Sequence, residues 1–314
     1  MLILSTLFLC SEKNMPASLC LLIATFLWGS SFVALKYTIN SYDPTFVIFL
    51  RMLTTLIFSL CLWRWVKRFE YQSGDWKYLL TMSLAEPCLY FLFEGFALQN
   101  TSASQAGVLV SSLPLIVAFL AYYLLKERLS HAIIIGFGLC ISGGLLLTYV
   151  SPSSSDASNP VLGNFLEFLA MICAAYYSVS VKRLAIRYSP LSLIALQGLS
   201  GTLFFAPFLF FTGLPEVHNV NALLSIVYLG TFVTLGGYGF YNYALSKVSV
   251  LTSAAYSNLI PVFSLLLSAL ILGEVLNFNQ WVSIFIIFCG VIVSQLHKPV
   301  AVINEQPDIK MSRS

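Results

Sequence analysis

Apolar runs of about 20 residues follow one another along the whole chain, separated by short polar connections. A helical run of that length crosses a hydrocarbon core of ~30 Å. The pattern predicts ten such spans, at approximately 16–37, 44–63, 77–98, 102–125, 132–150, 161–181, 190–212, 222–245, 249–272 and 280–297. A membrane β-barrel shows ten-residue segments that alternate apolar and polar positions. Continuous apolar runs with scattered Gly and Pro are the helical pattern, in which each segment satisfies its own backbone hydrogen bonds. The fold class expected is an all-α polytopic membrane protein with ten transmembrane helices.

Two of the runs share a pattern. "SLPLIVAFLAYYLLKERL" begins at Ser112 and "LIPVFSLLLSALILGEVL" at Leu259, each with proline third and glutamate sixteenth. A shift of about 147 positions carries Pro114 onto Pro261, Glu127 onto Glu274, Gly143 onto Gly290, and "FLFEGFAL" at 91–98 onto "YGFYNYAL" at 238–245. A shift of 146 carries Lys36 and Pro44 onto Lys182 and Pro190. The chain therefore reads as one five-helix unit used twice. Five is odd, so the second copy enters the membrane from the opposite face, which makes an inverted repeat whose halves can exchange conformations around a central site. The expected organisation is an N-terminal extension at 1–15, a first repeat at 16–150, an extracytoplasmic linker at 151–160, a second repeat at 161–297 and a cytoplasmic tail at 298–314. For the extension, an over-long start before Met15 and an interfacial segment both fit.

Composition supports lipid as the main solvent: 58% of residues are hydrophobic and 9% charged, against roughly 25% charged in soluble domains. The net charge of +3 has a topological reading. Lys and Arg gather on alternate loops (Arg64 to Lys77, Lys126 and Arg128, Lys182 to Arg187, Lys247, and the tail), and the loops between carry none. The positive-inside rule then places both termini in the cytoplasm. Nucleic acid is not implied as a partner. The seven cysteines lie in or beside apolar runs without metal-ligand spacing and read as small buried hydrophobes, with no metal or cofactor expected.

Ionisable groups inside lipid cost roughly 2.5 to 3.5 kcal/mol on insertion scales, so each calls for a partner, a wet cavity or a task. Arg51, Glu86, Glu94 and Glu167 stand out, and their repeat mates Gln197, Val233, Tyr241 and Leu21 are neutral. By helical rise Glu86 lies near the midplane, with the other three within about two turns of the outer boundary. An ion pair of Arg51 with Glu94 or Glu167 fits these depths; so does Arg51 reaching outward to the interface. Glu86, Tyr90, Glu94 and Ala97 form one stripe of the third span. With Trp28, Tyr176, Tyr177, Tyr241, Asn242, Tyr256 and Asn258 that stripe makes an aromatic cage with polar contacts, suited to an amphipathic or cationic small molecule; ordinary aromatic packing is the alternative. Pro114 and Pro261 each free a carbonyl mid-span, as a hinge lining the cavity or as a static kink. Glu127 and Glu274 read as anchors of helix ends.

"WGSSF" at 28–32, "ALQNTSASQAGVLVSSLPL" followed by "LKERL", and the second copy "ALSKVSVLTSAAYSNLIPV" followed by "LGEVL" resemble the drug/metabolite transporter superfamily, in particular its ten-span EamA-type family, over nearly all of residues 16–297. The resemblance implies a plasma or inner membrane carrier of small organic molecules, often amino acids or related metabolites and frequently an exporter, with spans one, three, four, six, eight and nine around the cavity. The second copy departs from the pattern, since Trp28 falls on Ala174. Glu94, or less directly Glu86, is the residue expected to change protonation or pairing during transport, with protons as the coupling ion or a cationic group on the cargo as the partner. An enzyme is not expected: the three histidines sit at span ends or in a loop, and neither HExxH nor a nucleophile elbow occurs. A non-transporting receptor or assembly subunit is the alternative on the same fold, separated from a carrier by substrate flux in liposomes.

Overall fold

The computed structural model describes residues 15–62, 71–125, 131–151, 157–212, 215 and 219–295. Expectations for the N-terminal extension, the tail, Glu127 and most of the central linker fall outside these residues.

Among the described residues ten helical spans follow in chain order. They are α1 (Ala17–Ile39), α2 (Pro44–Cys61), α3 (Trp76–Asn100), α4 (Ala103–Leu109 continued by Leu113–Leu125), α5 (His131–Val150), α6 (Pro160–Leu184), α7 (Pro190–Thr212), α8 (Val220–Lys247), α9 (Val250–Leu272) and α10 (Phe278–Gln295). Eight of them are long and apolar enough to cross a bilayer, and α5 and α10 hold shorter apolar stretches, Ile134–Val150 and Phe278–Val293.

The starts of the helices are written in the sequence, and in duplicate. Asp43 and Ser189 accept from the backbone N–H two or three residues on, each followed by a proline whose missing N–H costs nothing in the first helical turn. Ser102 and Ser249 cap α4 and α9 through Gln105 N and Thr252 N. Caps recur at a spacing of 146 or 147 because the unit recurs.

Packing repeats as well. The α1 span lies against α8 and α9, and α6 lies against α3 and α4; α2 pairs with α7, and α5 with α10. Lys36 on α1 donates to the carbonyls of Leu98 and Thr101 at 2.6 and 2.8 Å. Its mate Lys182 on α6 donates to Leu245 and Val248, both at 2.7 Å. Each lysine holds the carbonyl end of a span in the other helix group, where a cation suits the helix dipole. Spans α5 and α10, with Val108 and Leu115 of α4, form a separate apolar cluster, and α5 and α10 are drawn together at Gly143 and Gly290. A Cβ on Gly290 would stand 2.6 Å from Gly136 O and 2.9 Å from Cys140 N, so only the bare backbone allows that approach.

Interruptions sit where proline puts them. Pro114 and Pro261 leave the carbonyls of Val110 and Ser257 without their usual i+4 donor. Each is taken instead by the amide three residues on, from Leu113 and Ile260, so both spans tighten at repeat-related places. A third interruption, absent from the sequence expectations, is Glu86–Pro87 in α3. The residue before proline is pushed toward extended backbone, and Glu86 has φ −147 and ψ 116 inside a π-helical turn, Leu84–Leu89. Residues Leu229–Tyr238 of α8 are also π-helical, so both members of this repeat-related pair depart from α geometry.

Candidate functional site

The breaks in α3, α4 and α9 surround a cavity at the centre of the bundle. Its wall takes Trp28, Ser31 and Phe32 from α1, Arg51 from α2, Glu86, Tyr90, Phe91 and Glu94 from α3, and residues of α4, α6, α8 and α9. These are the six spans expected around the cavity, with α2 added through one long side chain. The volume is about 40 Å³, room for water and not for a metabolite.

Charge enters the wall as a pair. Arg51 is 1% exposed, and its Nη1 lies 3.7 Å from Glu94 Oε2. Its Nε donates to Thr234 Oγ1 at 2.8 Å and its guanidinium lies over the Phe91 ring, 4.1 Å from the centroid. Arg51 thus faces the interior, and the reading in which it reaches the outer interface is set aside. Tyr90 donates to Glu94 Oε1 at 2.8 Å, one turn away on the stripe. Glu86, turned inward by the broken backbone, accepts from the Tyr238 hydroxyl.

Aromatic rings close the site around these groups. Trp28 lies 5.1 Å from the Tyr238 ring and 4.9 Å from Tyr241, and Tyr238 meets Tyr177 edge-on at 5.7 Å. Gly237 makes room for the indole: a Cβ there would stand 2.9 Å from Trp28 Nε1. Tyr177 donates to Asn242 Oδ1 at 2.9 Å, and Tyr241 and Ser178 share a hydrogen bond of 3.0 Å.

Of the residues singled out in the sequence, the structure brings Trp28, Arg51, Glu86, Tyr90, Glu94, Tyr177 and Tyr241 to the cavity wall. Asn242 stands behind the wall, holding Tyr177. Four others need correction. Tyr176, about 100° around α6 from Tyr177, turns away and donates to Thr81 Oγ1 at 3.0 Å. Tyr256 and Asn258 flank the interruption ahead of Pro261, which re-aims the helix so that Ile260 faces the cavity instead. Glu167 is fully buried, but it joins no ion pair and neither carboxyl oxygen has a hydrogen-bond partner among the described residues. The prolines lie one residue from wall residues, Leu113 beside Pro114 and Ile260 beside Pro261.

Tyr238 joins the wall as well, and like Ser31, Phe32 and Phe91 it is not among the site residues expected from the sequence. It touches Trp28, Phe91, Tyr177 and Glu86. Its signal was present: it is the repeat mate of Phe91 and stands three residues before Tyr241, on the same helix face.

The profile of the EamA-like transporter family matches residues 15–149 and again 161–295. The uncharacterized transporter YetK of Bacillus subtilis is 26% identical over 303 residues, covering 95% of this chain and 90% of that protein. An uncharacterized transporter of Archaeoglobus fulgidus is 24% identical over 88% of this chain and 96% of its own length. A WAT1-related chloroplastic protein of Arabidopsis thaliana is 26% identical over 82% of this chain and 64% of its own. One solved crystal structure superposes with a TM-score of 0.67 at 20% identity, covering 89% of this chain and 96% of that one, which shows a shared fold.

Proposed function

Since the chain belongs to the EamA-like transporter family, as a multi-pass membrane protein, we propose that it exports a small zwitterionic metabolite, an amino acid or a close relative, across the plasma or inner membrane by alternating access. The observation that supports this reading most is a set of three buried polar atoms on wall residues. Trp28 Nε1, Arg51 Nη1 and Glu94 Oε2 have no hydrogen-bond partner among the described residues. Two are donors and one is an acceptor. Buried polar groups are nearly always paired, and leaving one bare costs about 1–3 kcal/mol. Arg51 Nη1 and Glu94 Oε2 attract one another at 3.7 Å but stand beyond hydrogen-bond range. A zwitterion inserted there gives its carboxylate to Arg51 and Trp28 and its ammonium to Glu94. Its side chain then meets the rings of Trp28, Tyr238 and Tyr241, which favour an apolar or aromatic group.

A cavity of about 40 Å³ admits such a cargo only when the helix groups part, as alternating access requires. Export is the direction that the family resemblance favours, and the Lys and Arg distribution supports cytoplasmic termini. Glu94 exchanges partners in this cycle, from Arg51 to the cargo ammonium or to a coupling proton.

The test is counterflow in proteoliposomes against an amino-acid mixture across a range of external pH. Wild-type protein exchanges at least one zwitterion. Glu94→Gln removes a charge-assisted partner and lowers exchange roughly tenfold or more, with a flattened pH profile. Exchange at the wild-type rate and with the wild-type profile refutes the assignment.

A further inference from the structure

Two helix groups face one another across the cavity, α1, α8 and α9 on one side and α3, α4 and α6 on the other. At one end their contact is unusually close. A Cβ on Gly107 of α4 would stand 2.4 Å from Ser264 Cβ of α9, so glycine lets these spans nest, and Ser264 Oγ donates to Ala103 O at 3.1 Å. Beyond Ser264, α9 ends at Gly273, whose left-handed φ of +67 favours glycine and reverses the chain. That reversal carries Glu274 back over the start of α4. Its Oε1 accepts from Ala103 N at 3.0 Å and its Oε2 from Ser104 N at 2.9 Å.

The corner between α3 and α4 is thus gripped at both ends of its helix dipoles. Lys36 takes the last carbonyls of α3 and Glu274 the first amides of α4, each by charge-assisted hydrogen bonds, and both come from the opposite group. At the repeat-related corner between α8 and α9, Lys182 plays the lysine part. Among the described residues no carboxylate takes the amides of Val250 and Leu251 there. Glu127, the repeat mate of Glu274, lies outside the described residues.

We propose that Glu274 is the gating residue of the end bearing residues 273–279: seated on the first-turn amides of α4, its carboxylate holds that end shut, and the cavity opens to that face when it lets go. The proposal rests on the alternating-access reading above. Two charge-assisted bonds to backbone amides bias the equilibrium by a factor of roughly ten or more.

The experiment reads access to the cavity without needing the cargo. Ser31→Cys on the cavity wall, in a background with the native cysteines replaced, is labelled in membrane vesicles with an impermeant maleimide, applied from each face in turn. Glu274→Ala accelerates labelling from the face bearing 273–279 by roughly tenfold, and Glu274→Gln, which keeps one acceptor and loses the charge, accelerates it less. Elution as a single species in detergent shows that each variant is folded, and Glu274→Gln decides if the alanine variant is not. Slow labelling that neither variant changes overturns the gate and leaves the carrier reading standing. Rapid labelling from both faces before Glu274 is altered overturns both, because the cavity would then be an open pore.

Discussion

Arg51 shows how far one side chain can be read in advance. A lone arginine in an apolar run calls for a partner, and its depth restricts the partners to a few carboxylates. The choice among them depends on which faces α2 and α3 turn to each other, and packing selected Glu94 over Glu167. Breaking a buried pair by removing one member leaves the other charge uncompensated, at about 3–5 kcal/mol. Arg51→Met should therefore lower the thermal midpoint of the detergent-solubilised protein strongly, and Arg51→Met with Glu94→Gln should recover most of the loss. Strictly additive losses would show that the two side chains do not act as a pair. Tyr238 illustrates the opposite case. Aromatic residues make up 15% of the chain, so no single tyrosine stands out by type, and its role comes from three rings and a carboxyl converging on it in space.

Among whole elements, proline was legible and its consequences were partly so. The duplicated Pro114 and Pro261 announce repeat-related interruptions, and the structure shows the tightened turns that relieve Val110 and Ser257. Proline in a helix interior costs about 3 kcal/mol through its lost donor and its clash with the preceding turn. Pro114→Ala and Pro261→Ala restore that donor, and each should hold or raise the thermal midpoint while slowing counterflow severalfold. Unchanged counterflow would identify the prolines as static kinks. Glu86–Pro87 carries the same local signal, because the residue before a proline is biased away from helical backbone whatever its charge. Asn258 and Tyr256 fail for a related reason: a uniform helical period does not hold across the interruption they flank.

Over the whole molecule, duplication is the organising fact, seen in the caps, in Lys36 and Lys182, and in Tyr42 and Tyr188, which tie the loops at opposite ends to Asn219 and Asp75. The inverted arrangement makes a prediction about sidedness. Single cysteines at Gln72 and Ile186 should react with an impermeant maleimide from one face, and one at Asn277 from the other. Reaction of Gln72 and Ile186 from different faces would break the arrangement. The sequence alone determined the number and limits of the spans, their duplication and the charges worth watching, because apolar length, capping residues and charge cost are local properties of the chain. Only the tertiary structure decided which of those charges meet, that Tyr238 joins the wall while Tyr176, Tyr256 and Asn258 do not, and that Glu274 reaches across to α4. Those outcomes depend on the rotation of each helix about its axis, which is fixed by close packing against neighbours distant in sequence.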